Sequence, residues 1–295
     1  VLISILLISF AEKIAFSLFL YSRDLVVMRS IIAFFRVLGV FAVLIGGIGA
    51  LVLTSPMASR RTSHKIYMSF KGILLWVVGI KVHGQKFDKI GPGLIIANHR
   101  SYLDVLFIPT EDFFTIVGKI EVRSWPLIGW AGRALGTIWV KRESKNSRSQ
   151  TKEAISNAVK DGETVVLFPE GSSWEGPLLL PVRPGMFYEA ADQGFKLYQW
   201  SLHFDDATTG FPPKIPFGKH LWELCKRRNV NAYTEVRELP ISGTDGTELC
   251  NDAISWWNQS LTRLNEKYPM RNTGFWPDDR VFTSAIYERS SAVKG

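Results

Sequence analysis

The sequence predicts an α/β domain whose sheet is covered on its faces, set behind an N-terminal membrane segment. Three observations carry this. Short apolar runs such as Leu94 to Ala97 and Thr164 to Phe168 alternate with helical segments, the pattern of buried strands joined by helices. Val37 to Ser59 holds no charged residue. Basic residues then crowd the chain directly beyond that stretch. At 46% hydrophobic and 21% charged, the 295 residues are too apolar for a disordered chain. The 24 Gly and 14 Pro follow no period, which excludes collagen-like and solenoid architectures. Cys225 and Cys250 are the only cysteines, so there is no disulfide framework, paired-Cys zinc signature or CxxC motif.

Taken from the N-terminus, Ile31 to Leu53 is long enough to cross a bilayer as a helix, which needs about 20 residues. Arg36 lies near one end, where a long side chain is expected to snorkel. Val1 to Leu20 is broken by Glu12 and Lys13 and reads as a weak span or an interfacial helix. Met28-Arg29 resembles a chain start, with residues 1–27 then an upstream extension; a signal peptide, ending near Ser55 to Ser59, is the competing reading. Arg60 to Lys89 carries seven basic residues against Asp88, so this flank, and the domain after it, are expected on the cytoplasmic face of a membrane. Ile66 to Ile80 is an apolar-rich helix with Trp76, suited to the membrane interface or to a core. The expected organisation is a membrane segment over 1–59, a basic interfacial helix and opening strand over 60–85, a main domain over 86–245, and a C-terminal helix and tail over 246–295.

The remaining elements alternate. Strands are expected at Leu94 to Ala97, Ala134 to Val140, Thr164 to Phe168, Leu197 to Leu202 and Asn231 to Arg237. Helices are expected at Ser101 to Ile108, Ser149 to Lys160, Met186 to Gln193 and Asp252 to Lys267, the last carrying Trp256 and Trp257. In α/β sheets ligands bind beyond the carboxyl ends of strands. Chemistry is therefore expected in the residues that follow Ala97, Val140 and Phe168.

After Ala97 comes Asn98-His99-Arg100-Ser101-Tyr102-Leu103-Asp104. Five residues of one helix turn about 500°, so His99 and Asp104 cannot share a helical face. They meet only if His99 sits in the turn and Asp104 points back from the first helical turn, with Ser101 as N-cap. Asp104 would then orient His99 as a general base. The structural alternative is a capping box, Ser101-x-x-Asp104, with His99 an ordinary loop residue. After Val140 comes Lys141-Arg142, within a region from Lys119 to Lys152 that holds eight basic residues and two acids. Arg142 suits bidentate phosphate binding, and a solvated basic face is the plain alternative. After Phe168, Glu170 stands between Pro169 and Gly171 in a tight turn.

These pieces together resemble the glycerolipid acyltransferases, the lysophosphatidic acid acyltransferase superfamily. The resemblance rests on Asn98-His99-x4-Asp104, on Gly136-Thr137-Ile138-Trp139-Val140-Lys141-Arg142, and on Phe168-Pro169-Glu170-Gly171-Ser172-Ser173. Ile80 to Gly84, Gly118-Lys119, Pro126 to Trp130 and Leu179 to Gly185 also match the linking features. The resemblance implies a mixed sheet flanked by helices, His99 as general base, Asp104 as its orienter, and a thioester donor, acyl-CoA or acyl carrier protein. It further implies that Arg142 holds the acceptor's phosphate, that Glu170 and Gly171 position the glycerol part, and that Asn98, Lys119 and Arg183 contribute to substrate binding. The partners it implies are a lipid bilayer and a lysophospholipid acceptor; no cofactor and no metal is expected. Two departures stand out. Ser172-Ser173 occupies positions where many relatives have Thr followed by Arg or Ser. Lys196 to Ser201 stands where the fourth motif usually has an apolar, Pro-containing strand. The Ser-Ser ending is closer to relatives acting on varied lysolipids, including lyso-ornithine lipids.

Other classes fit less well. A hydrolase would need a G-x-S-x-G elbow or an H-E-x-x-H pair, and neither occurs. A non-catalytic lipid-binding module does not need His99 and Asp104 together. Nucleic-acid binding, raised by the pI near 9.4, ranks last because the basic residues flank an apolar span.

Overall fold

The computed structural model describes residues 2–54, 59–125, 128–141, 145–174, 176–211, 215–240 and 245–271. A seven-stranded mixed sheet organises them. Its strands are β1 (Ile80–Gly84), β2 (Gly93–Ala97), β3 (Thr115–Lys119), β4 (Ile138–Val140), β5 (Thr164–Leu167), β6 (Lys196–Phe204) and β7 (Val230–Leu239), in the order β1-β7-β6-β2-β5-β3-β4. Neighbours run parallel except β6 and β7. The carboxyl ends of β2, β3, β4, β5 and β6 therefore share one edge. Central β2 is buried throughout, between β5 and β6.

Alternation along β2 sorts its side chains onto two cores, since successive residues of a strand face opposite ways. Ile95 and Ala97 join Val166, Trp200, Leu202 and Phe204 on one face. That face is covered by Leu103, Leu106 and Phe107, by Leu221 and Leu224 of helix α6 (Phe217–Cys225), and by Ala33 and Val40 of helix α1 (Leu2–Thr54). Leu94 and Ile96 join Val165, Leu167 and Leu197 on the other. Helices α4 (Lys145–Lys160), α5 (Gly185–Gln193) and α7 (Gly246–Lys267) cover it, with Ile155, Phe187 and Trp257 buried.

The N-terminal apolar stretch is one continuous helix, with Val26–Leu51 apolar and long enough to cross a membrane. It packs antiparallel to α2 (Arg60–Val78): Gly39 meets Val77 and Gly47 meets Phe70. Helix α2 starts at the Ser59 N-cap and stops at Gly79, whose φ of 81° gives the left-handed cap that leads into β1. Arg36 does not snorkel. Its guanidinium donates to the carbonyls of Cys225, at 3.3 Å, and Arg227, at the end of α6. Unpaired carbonyls at a helix C-terminus attract cations, so the arginine is held by protein. A wide apolar surface stays open on these helices, including Phe34, Phe35, Leu38, Phe41, Ile73 and Trp76.

Several elements differ from expectation. Ala134 to Val140 is not one strand: α3 (Ile128–Ala134) ends there, and only Ile138–Val140 pairs with β3. Gly136, at φ 72°, makes the turn between them. The segment after His99 is a 3-10 helix, Tyr102–Phe107. The opening strand β1 pairs with β7 at the sheet's edge.

Candidate active site

The strand-end loops converge at the edge of β2. Asn98 extends this strand by one side chain: its amide Nδ2 donates to the Leu202 carbonyl at 2.8 Å and its Oδ1 accepts the Leu202 N–H at 2.8 Å. The residue is wholly buried, and its amide clamps the end of β2 onto β6.

His99 follows in the turn. Its Nδ1 lies 2.7 Å from Asp104 Oδ2. The same oxygen accepts the N–H groups of Arg100, at 2.6 Å, and Ser101, at 3.0 Å. Capping and imidazole orientation are thus one arrangement, because a single carboxylate oxygen closes the start of the 3-10 helix and holds the ring. With Nδ1–H donating to Asp104, Nε2 is the free, basic nitrogen. The Asp104 side chain is fully buried and that of His99 is 21% exposed, so only the histidine is open to a ligand. Its other support is the Phe168 ring, stacked at 4.3 Å and 21°.

Glu170 lies beneath this loop. Its Oε1 accepts the His99 N–H at 2.7 Å and its Oε2 the Leu180 N–H at 2.9 Å. With its side chain 1% exposed, it holds the His99 turn from below. Burial pushes its carboxyl up to about 7, against the pull of Arg100 and the two N–H donors. Arg100, equally buried, places Nη1 3.9 Å from Glu170 Oε2, and Nη2 donates to the Pro177 carbonyl at 3.1 Å. Sequence reasoning does not single this arginine out; its one signal is a position beside the histidine in a loop that must bury a glutamate.

Gly171 turns at φ 72°, and a Cβ there would lie 2.9 Å from the Arg183 Cζ. Lys119 ends β3, half exposed and 3.3 Å from Glu121. Arg142 lies outside the described residues. Beyond the base, Ser173 donates to the Phe211 carbonyl at 2.6 Å and Phe211 N–H donates to the Arg100 carbonyl at 2.8 Å. His220 donates from Nε2 to the Gly210 carbonyl at 2.9 Å and accepts from the Tyr102 hydroxyl at 3.1 Å. These contacts tie the 207–211 segment to both motif loops.

A buried carboxylate, an accessible histidine and a framing glutamate lie together at the carboxyl edge of the mixed sheet. The acyltransferase family model matches residues 79–200, which hold the whole constellation. Residues 79–200 thus carry an acyltransferase domain, and the chain is similar to members of the glycerolipid acyltransferase superfamily. It is 32% identical over 185 residues to the lyso-ornithine lipid O-acyltransferase of Rhodobacter capsulatus, covering 59% of this chain and 66% of that protein. It is 36% identical over 118 residues to the lyso-ornithine lipid O-acyltransferase of Rhizobium meliloti, covering 40% of each chain. It is 31% identical over 131 residues to the 1-acyl-sn-glycerol-3-phosphate acyltransferase of Neisseria gonorrhoeae, covering 44% of this chain and 51% of that protein. The matched stretches thus span between two fifths and two thirds of these relatives. In fold, the chain is similar to the crystal structure of the 1-acyl-sn-glycerophosphate acyltransferase PlsC from Thermotoga maritima, with a TM-score of 0.59, 16% identity, and coverage of 81% of this chain and 95% of that one.

Proposed function

We propose that this chain is a membrane-associated O-acyltransferase that moves a fatty acyl group from acyl-CoA or acyl carrier protein to the free hydroxyl of a lysophosphatidic acid-type acceptor. The observation that carries the reading is the His99–Asp104 pair, with Nδ1 held at 2.7 Å and Nε2 left as the base. His99 Nε2 takes the proton of the acceptor hydroxyl as that oxygen attacks the thioester carbonyl. Asp104 stabilises the resulting imidazolium. Collapse of the tetrahedral species breaks the C–S bond, and the proton on His99 passes to the departing thiolate, so no acyl-enzyme forms. Arg142 is assigned the acceptor's phosphate, and Arg142→Ala is expected to raise the acceptor's KM. The apolar surface of α1 and α2 is assigned to the bilayer, with basic residues such as Arg61 and Lys65 toward anionic head groups.

A second acceptor has its own support. Relatives named for lyso-ornithine lipid acylation match this chain, and Ser172-Ser173 stands in place of the commoner ending. Thiol release by the detergent-purified protein tests both, with lysophosphatidate, glycerol 3-phosphate and lyso-ornithine lipid as acceptors. Acceptor-dependent release names the substrate. Release that ignores the acceptor contradicts the transferase reading.

A further inference from the structure

We propose that Tyr67 and Lys71 of α2 are positioning residues for the base: they hold the far end of the short helix that presents Asp104, so the seating of α2 fixes the orientation of His99. The inference rests on the acyltransferase reading above. His64, Tyr67 and Lys71 share one face of α2, at the i, i+3, i+7 spacing of a helix. His64 is buried, and its ring meets the Phe114 ring edge-on at 4.6 Å. The Tyr67 hydroxyl donates to the Val105 carbonyl, and Lys71 Nζ donates to the Ile108 carbonyl at 3.3 Å. The opposite face carries exposed Ile73 and Trp76. A helix docked by apolar packing alone has no need of an inward lysine, a residue rarely buried without a partner.

What these donors hold gives them their role. Val105 lies in the last turn of the 3-10 helix Tyr102–Phe107, and Ile108 is its C-cap. Carbonyls at a helix end lack partners within the helix, and 3-10 hydrogen bonds have poor geometry. The opening end of the same helix is closed by Asp104 Oδ2, which takes the Arg100 and Ser101 N–H groups and the His99 ring. The helix is therefore clamped at both ends, by the carboxylate that orients the base and by two side chains of α2. Slack at the α2 end passes to the imidazole through Asp104, and a misplacement of about 1 Å can cost on the order of 10²-fold in rate. Neither α2 residue needs to touch substrate for this effect.

The test compares wild type with Tyr67→Phe, Lys71→Met and the double variant in the detergent-purified full chain, each also made in an Asp104→Asn background. Acceptor KM and kcat are measured with lysophosphatidate and with lyso-ornithine lipid, and amide hydrogen exchange is followed over residues 98–108. The double variant is expected to lose about tenfold in kcat, with the acceptor KM within about twofold of wild type. In the Asp104→Asn background the same two changes should cost no more than about twofold, because the group they act through is already altered, whereas a general structural loss would add in full. Exchange over 98–108 should quicken while that of α7 stays as in wild type. Tyr67→Phe removes one hydroxyl and keeps the ring, so it should show the same pattern at smaller size even if Lys71→Met fails to fold. An unchanged kcat, or an equal fall in both backgrounds, overturns the proposal. If wild type transfers to neither lipid, the acyltransferase reading fails separately. Exchange then decides the positioning role, as it does if Asp104→Asn turns over too slowly to measure: quickening confined to 98–108 supports it, and unchanged or uniformly faster exchange overturns it.

Discussion

One carboxylate oxygen, Asp104 Oδ2, takes three donors: the His99 ring and two backbone N–H groups. Removing the base in His99→Ala is expected to lower kcat by about 10³-fold or more, read in steady-state thiol release. Asp104→Asn should cost less, since the ring can still be held while the charge opposite the imidazolium is lost. Glu170→Gln keeps the volume but cannot accept both the His99 and Leu180 N–H groups, and it leaves Arg100 as a buried unpaired charge. A loss of about 3 kcal/mol in unfolding free energy and a lower kcat are expected. Arg100→Met combined with Glu170→Gln should cost less than the two single changes summed, a coupling that a double-mutant cycle reads directly. The His99–Asp104 pair is legible through the family resemblance, because the H-x4-D spacing alone suits a plain capping box as well. Arg100 is not legible there, because a loop arginine looks solvent-exposed until its carboxylate partner Glu170, 70 residues away, is brought beside it.

At the scale of elements, apolar content decides what can be read. Strands β2 and β5 are legible because Leu94-Ile95-Ile96-Ala97 and Val165-Val166-Leu167 are unbroken apolar runs, buried on both faces of the sheet. Edge strand β1 buries only Ile80, so its pattern alone is weak and it is legible through the family resemblance. Flanking β3 escapes a sequence reading, since Thr115, Gly118 and Lys119 dilute its apolar pattern and it is only partly buried. The end of α3 reads as strand because Ala134 to Val140 is apolar apart from Gly136 and Thr137, and only the glycine turn separates the two elements. Helix α6 also escapes, although it supplies carbonyls that hold Arg36. That contact gives an element-scale prediction. Arg36→Met should loosen α1 from α6 and lower the melting temperature in detergent, with a loss of about 1–3 kcal/mol for the carbonyls left unsatisfied. An unchanged melting temperature would mean the docking contributes nothing to stability.

Across the whole molecule, buried histidines set the response to acid. Burial pushes His64, His203 and His220 each down to about 4. In the unfolded chain they titrate near 6.5, so the folded state binds fewer protons and their stability, present above pH 6.5, is lost as the pH falls toward 4. Glu170, pushed up to about 7, acts in the opposite sense: its contribution is present below its ordinary value of 4.5 and is lost as the pH rises toward 7. Three groups outweigh one, so chemical denaturation should give lower stability at pH 5 than at pH 7.5. Glu170→Gln removes the opposing group and should steepen that acid loss.

The proposed role of His99 as the base of an acyl transfer ties these scales together. Acceptor-dependent thiol release by wild type and His99→Ala, both shown to be folded by thermal unfolding, tests it most directly. Wild-type release is expected to require a lysolipid acceptor and to disappear in the variant. Release that persists in a folded His99→Ala protein would contradict the role of His99.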